Sequence, residues 1–451
     1  MLMFRFLVLG VTLSAVQSVP AARFDPRGYG AKGDGRTDDT LAIQKASDDC
    51  NASGGGVVAL APGVYVTYTL ELRSNVELRI GEGVRVRGGP DGLKYPLFAT
   101  NDVWNVELSP RHNRRALFYT CGQTNVAITG RGVIDSNADA FHVRTEAPDR
   151  WTGFRWRRES DTDITGRVVF FAGCRDVRME DVLIDRPCGW STWFLDCDRV
   201  KVRGVRIEAD PRYPNGDGIH LGGCRDVEVS ECVVHSQDDS LVMRSHQEQM
   251  RVPRALERVK VSNCVLRSSA ACAIRFGWTY DYAIRDISFE NLVCEGSKLG
   301  ISCALPQINE QENCDPPRGP GVPRPDREHR LPFSVERCSF SGLRIKSEGE
   351  PLNVFLLQQD RPASICGLSF TNCVFEAGAA PSVVSRNCDK VDGWTFKDCK
   401  FDLTYDPESG SSSGPGFPAR VEHLKMDGCE WNVRRSGLIA PAAVGGACQC
   451  R

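Results

Sequence analysis

The chain has 451 residues, including 43 glycines and 20 cysteines, and its 56 basic and 58 acidic side chains leave a formal net charge of −2. That balance argues against a whole-molecule field of the kind that gathers nucleic acid or other polyanions. No run reaches the ~18 apolar residues of a membrane span. The length admits either several globular domains or one long solenoid, and internal repeats favour the solenoid.

In chain order, Met1 to Arg5 is short and basic, and Phe6 to Ala15 is apolar. Val16-Gln17-Ser18 offers small residues at the spacing of a cleavage site, with Ala21-Ala22 as a second option. This predicts an export signal over 1–22, a secreted (extracellular or periplasmic) product and no membrane contact after its removal; a first buried strand is the alternative. Gly28 to Gly35 is rich in turns, and Thr37-Asp38-Asp39-Thr40 can cap a helix over Leu41 to Cys50. Such a helix would cover the open end of a solenoid. At helix ends, Asp38-Asp39 and Asp48-Asp49 read as capping or solvated groups.

From Gly54 onward, short β-branched runs alternate with turns: Val57–Leu60, Val76–Ile80, Val126–Ile128 and Val133–Ile134. Gly-Cys-Arg-Asp-Val-Arg (173–178), Asp-Cys-Asp-Arg-Val-Lys (196–201) and Gly-Cys-Arg-Asp-Val-Glu (223–228) repeat one pattern, their valines 23 and then 27 residues apart. Cysteines recur in register as well, at 174, 197 and 224 before strands, and at 232, 264, 373, 399 and 429 closing Ser-Glu-Cys or Thr-Asn-Cys type triplets. They predict a mixture of disulfides, as an exported chain allows, and buried thiols stacked as small apolar groups. Pro306 to Pro332 and Pro407 to Pro418 read as loop excursions. The expectation is all-β: a right-handed parallel β-helix from about 54 to 435 with a short N-terminal capping helix, within one domain spanning 23–451.

Asn215-Gly216-Asp217-Gly218 and Ser236-Gln237-Asp238-Asp239-Ser240 place Asp217 and Asp238 21 residues apart, close to one coil. Their strands should be neighbours, ~4.8 Å apart. Adjacent residues on a regular strand point in opposite directions, so Asp238 and Asp239 can share a face only where the backbone bends. Ile219-His220-Leu221, Leu241-Val242-Met243 and Ile274-Arg275-Phe276 share an apolar-x-apolar signature. The middle residues, His220 and Arg275 among them, should face outward beside the aspartates. Trp190, Trp193, Trp278 and Tyr280 flank the same region and could either stack on sugar rings or pack in the core.

Taken together, the glycine-rich Gly30-Ala31-Lys32-Gly33-Asp34-Gly35 stretch, Asn215-Gly216-Asp217 and Asp238-Asp239 make the chain resemble glycoside hydrolase family 28, the polygalacturonase group of parallel β-helix enzymes. The likeness runs through about Leu305. It implies a glycosidase acting on a pectic or related polysaccharide with inversion, with Asp238 as general acid and Asp217 with Asp239 activating water. Asn215, His220, Arg275 and Trp190 are the expected substrate contacts, and no cofactor or metal is expected. The expected partner is a polysaccharide or oligosaccharide substrate of a monomeric protein.

The resemblance breaks at two further family elements, Gly-His-Gly and Arg-Ile-Lys. Alignment of the apolar pair Ile274 and Phe276 puts Cys272 where the family has its histidine, and Gly300-Ile301-Ser302-Cys303-Ala304 carries no base where the family has its two cations. Arg344-Ile345-Lys346 lies too far along the chain and reads as a coincidence, and His246 is a weaker stand-in for the histidine. Arg275 is the nearest cation for a uronate; otherwise the sugar at the cleavage site is neutral or differently charged. Two other functions compete: a β-helix polysaccharide lyase, using the aspartates for Ca²⁺ and Arg275 as base, and a catalytically silent carbohydrate-binding solenoid.

Overall fold

The computed structural model describes residues 22–99, 101–104, 115–147, 156–158, 167–247, 249–278, 281–305, 331–357, 361–385, 389–405 and 420–435. Residues 1–21 of the expected export signal, most of the expected 306–332 excursion, all of 407–418, and Tyr280 lie outside them.

The repeats close into a right-handed parallel β-helix. Among the described residues, successive coils feed three long parallel sheets of 14, 13 and 10 strands. A typical coil places Arg225–Ser230 in the first sheet, Val233–Ser236 in the second and Leu241–Arg244 in the third. The repeated valines are in direct register, Val177 beside Val200 and Val200 beside Val227, and the ladder continues to Val259 and Ile287. The sequence repeat is thus a record of which residues stack.

The turn from the first to the second sheet explains the recurrent triplets. Its middle residue is left-handed on coil after coil, with φ of 54–64° at Asp181, Gly204, Glu231, Asn263 and Asn291. Asn and Gly tolerate that region best, and Asn291 Nδ2 donates to Asn263 Oδ1 at 2.7 Å along the ladder. In several coils the next residue turns inward as a buried cysteine. The Cys232 and Cys264 thiols donate to the carbonyls of Ser230 and Ser262, both at 3.2 Å. Cys224 donates to Phe194 O, one coil back, at 3.2 Å. All the described cysteines are free thiols, so the stacked half of the expectation holds and the disulfide half finds no instance among the described residues. Carbonyl acceptors satisfy these sulfurs without any bond between them.

Aromatic side chains stack at the same coil spacing. Phe289, Phe340, Phe370 and Phe396 form a column with centroid separations of 4.8, 4.5 and 4.5 Å. The cap is helix α1, Thr40–Ala52, which buries Ile43, Ala46 and Cys50 against the first strands. The capping cluster divides its work: Asp38 Oδ1 accepts from Thr40 N at 3.0 Å, whereas Asp39 reaches back to Lys32 N and Gly33 N at 2.6 and 3.0 Å. Asp39 therefore pins the glycine-rich segment onto the cap.

Candidate active site

Alternation along the third sheet sends Ile219, Leu221, Ile274 and Phe276 into the core and leaves the residues between them on the outer face. That outer row runs Tyr119, Phe170, Trp193, His220, Val242, Arg275, Ser302, Asn353 and Ser382, each beside the next across the ladder. Its early part is not open. Tyr119, Phe170 and Trp193 pack with Phe98, Trp104 and Met250 in a second apolar cluster outside the main core. Trp193 is thus a packing residue rather than a cleft residue. The row becomes polar at His220.

Beside that transition the three aspartates converge. Asp217 precedes the strand Ile219–Gly222, and Asp238 and Asp239 occupy the bend between Val233–Ser236 and Leu241–Arg244. The bend lets adjacent residues serve one face, as the pattern requires. The two coils touch closely: Gly218 N donates to Asp239 O at 2.9 Å, and a Cβ on Gly218 would lie 2.1 Å from Ser240 O. Only glycine fits there. Asn215 takes a left-handed conformation, φ 58°, and Asp238 Oδ2 lies 3.5 Å from its amide nitrogen. One oxygen from each of Asp217, Asp238 and Asp239 lies within 4.8 Å of those of the other two. This is tighter than the ~6.5–9.5 Å usual for an inverting pair, so carboxyl separation does not by itself select inversion.

The environments drive the carboxyls apart. Burial, then the charges of Asp217 and Asp239, hold Asp238 well above the usual carboxylate range. Burial also works against ionised Asp239, but the Arg275 guanidinium and the Cys272 donors outweigh it and hold that carboxyl below its ordinary value. Arg275 Nε donates to Asp239 Oδ2 at 3.0 Å, Nη2 to Oδ1 at 3.2 Å, and Nη1 to Ser302 Oγ at 2.9 Å. Expected as a substrate contact, Arg275 is engaged with a carboxylate and a hydroxyl of the protein. Cys272 donates to Asp239 Oδ1 from both its backbone nitrogen, at 3.1 Å, and its thiol, at 2.7 Å. The result is one carboxyl that favours its protonated form beside one that favours its ionised form, the division of labour that acid–base catalysis requires.

His220 Nε2 lies 3.0 Å from Asp217 Oδ2. Burial, then the nearby Arg167 and Arg244 charges, keep its ring neutral, so a proton on Nε2 makes it a donor to Asp217. Trp190 stacks on His220 at 3.8 Å, and the buried Arg167 guanidinium lies 3.5 Å from the Trp190 ring centroid. Two expected substrate contacts, His220 and Trp190, are thereby parts of a column that backs Asp217. Arg167 went unnoticed in the sequence; its register position beside Trp190 is the signal that could have revealed it. Trp278 stays exposed, with Arg275 5.1 Å from its ring centroid. His246 forms an isolated bridge with Asp281, and Arg344 lies in the second sheet, paired with Glu376 at 2.6 Å. The Arg344-Ile345-Lys346 string therefore belongs to another face.

The profile of Glycosyl hydrolases family 28 matches residues 104–302, and that of Rhamnogalacturonase A/epimerase, pectate lyase-like, matches 26–173. The chain is 27% identical over 252 residues to an exo-poly-alpha-D-galacturonosidase of Dickeya chrysanthemi, covering 47% of this chain and 40% of that one. It is 21% identical over 280 residues to a probable polygalacturonase of Vitis vinifera, covering 60% and 55%. The match thus spans about half the length of these curated relatives. The crystal structure of a hyperthermoactive exopolygalacturonase from Thermotoga maritima superposes with a TM-score of 0.68 at 18% identity over 92% of this chain and 93% of that one, a likeness of fold. Residues 104–302, which carry the three aspartates, are thus similar to glycosyl hydrolases family 28.

Proposed function

We propose that the protein hydrolyses a glycosidic bond of a pectic or related polysaccharide, with Asp238 as the general acid and Asp217 and Asp239 activating the water. One observation carries this reading: three carboxyls meet on one outer face, and the burial and charge around them favour the protonated form of Asp238 and the ionised form of Asp239. Asp238 can then protonate the departing glycosidic oxygen while the ionised group takes a proton from water attacking the anomeric carbon. Inversion rests on the likeness of residues 104–302 to glycosyl hydrolases family 28. Elimination is disfavoured because the Arg275 guanidinium, the candidate base of a lyase, is held charged by the Asp239 ion pair.

The outer face also suggests where the substrate lies. The apolar cluster of Phe98, Trp104 and Met250 fills the row up to Trp193, whose register partner is His220. That plug ends one strand spacing, ~4.8 Å, from the coil carrying Asp217 and His220, which bounds the cleft on that side. The polysaccharide then extends over the Ser302 and Asn353 coils, and the enzyme releases small units from a chain end. Neutral groups, Ser302, Asn353 and Ser382, occupy the row there. The substrate range therefore includes sugars without a carboxylate at that position. An export signal over 1–22 and action as a monomer outside the cytoplasm complete the reading.

Digestion of a panel of pectic glycans, followed by mass spectrometry and proton NMR, tests it. Hydrolysis with inverted anomeric configuration and early release of mono- or disaccharides is expected. Unsaturated products would establish elimination instead, retained configuration would replace inversion, and a ladder of long oligosaccharides would refute attack at a chain end.

A further inference from the structure

The thiol of Cys272 stands where the family has a histidine, and it is neither idle nor a nucleophile. Cys272 opens the strand Cys272–Phe276 and is fully buried. Its carbonyl accepts from Ser240 N at 3.0 Å, which ties it to the coil carrying Asp238 and Asp239. Its backbone nitrogen and its sulfur both reach Asp239 Oδ1, at 3.1 and 2.7 Å. Burial raises the thiol's pKa far above its ordinary value, and the neighbouring Asp239 and Asp238 charges add to this while Arg275 opposes it. The sulfur therefore keeps its proton and donates it to the carboxylate.

We propose that Cys272 is a positioning residue that orients Asp239 and holds it ionised through an S–H···O⁻ hydrogen bond. The proposal rests on the hydrolase reading for its catalytic consequence, though not for the bond itself. Asp239 has acceptor sites for several donors, and the structure directs four at it: the Cys272 thiol and backbone nitrogen, and Nε and Nη2 of Arg275. The titratable and charged groups facing it are Arg275 on the Cys272 strand, Asp238 on the same bend, and Asp217 and the His220 ring on the preceding coil. Both carboxyls favour protonation of Asp239, and the Cys272 thiol, a neutral donor, opposes them together with Arg275. A histidine could do the same with one ring nitrogen, but its second nitrogen would remain for a substrate hydroxyl. A thiol has a single proton, and that proton is committed. The substitution thus keeps the support of the base and removes a polar contact to the sugar.

The test compares wild type with Cys272→Ala and Cys272→Ser, with two readouts. In the pH dependence of kcat/KM, the acid limb, which reports ionisation of the base, should move up by about 1 pH unit in Cys272→Ala and return most of the way in Cys272→Ser, whose hydroxyl restores the donor. In the free protein, the carboxyl carbon of Asp239, followed by NMR with ¹³C-labelled aspartate and assigned through Asp239→Asn, should titrate at higher pH in Cys272→Ala by a similar amount. The second readout needs no substrate, so it decides the proposal even where no glycan is cleaved and the hydrolase reading fails. An Asp239 titration unchanged in Cys272→Ala, or a serine variant indistinguishable from alanine in both readouts, overturns it.

Discussion

Replacing Arg275 by methionine isolates the largest electrostatic interaction at the site. The Arg275 and Asp239 side chains are only 11% and 13% exposed and meet through two hydrogen bonds, so solvent screens the pair little. Methionine fills similar volume and leaves the Asp239 carboxylate buried without its cation. Breaking a buried pair from one side costs about 3–5 kcal/mol, whereas replacing both partners costs far less. Arg275→Met should therefore lose that amount in urea unfolding at pH 7, and Arg275→Met combined with Asp239→Asn should recover most of it. The pH dependence has a definite sign. Asp239 has a lowered pKa in the folded protein, so its contribution to stability is present above the unfolded value of ~3.9 and is lost as pH falls through the folded pKa. Without Arg275 the buried carboxyl titrates higher, and its ionisation then opposes folding. The stability gap between wild type and variant should open as pH rises through the wild-type Asp239 pKa and level off above that of the variant. A gap under ~0.5 kcal/mol at pH 7, or one that does not change with pH, would refute the account of Asp239 as an ion-paired base.

Asp238→Asn should lower kcat by about 10²–10⁴-fold. Because the Asp238 pKa is raised in the folded state, the same change should increase stability at neutral pH, with the gain disappearing as pH falls below the unfolded carboxylate value; activity assays and urea melts check the two arms. Gly218→Ala places a Cβ 2.1 Å from Ser240 O, so it should destabilise by about 1–3 kcal/mol and reduce kcat by displacing Asp217. Phe370→Ala removes the middle of the aromatic column and should cost about 3–5 kcal/mol in denaturant unfolding, with the pH–rate profile of the distant site unchanged.

The repeat was readable because a solenoid writes its geometry into local sequence. Residues that stack on neighbouring coils meet the same environment, so the valines at 177, 200 and 227, the turn residues before the cysteines, and the apolar-x-apolar strands announce sheet, register and face without any knowledge of long-range contacts. The convergence of Asp217, Asp238 and Asp239 followed from the same one-coil spacing. What lay beyond the sequence was which groups each side chain would meet across coils. Arg275 was legible as outward-facing, but not as the partner of Asp239 and Ser302. Cys272 read as a missing histidine, whereas the structure makes it a donor to Asp239. Trp193 read as either a cleft aromatic or a packing residue, and segments far apart in the chain, carrying Phe98, Trp104 and Met250, bury it. Alternation along a strand decides the face a residue occupies, and one chain contains that rule in full. Hydrogen-bond partners and coverage depend on distances of a few ångströms between separate coils and excursions, and only the tertiary structure decided those.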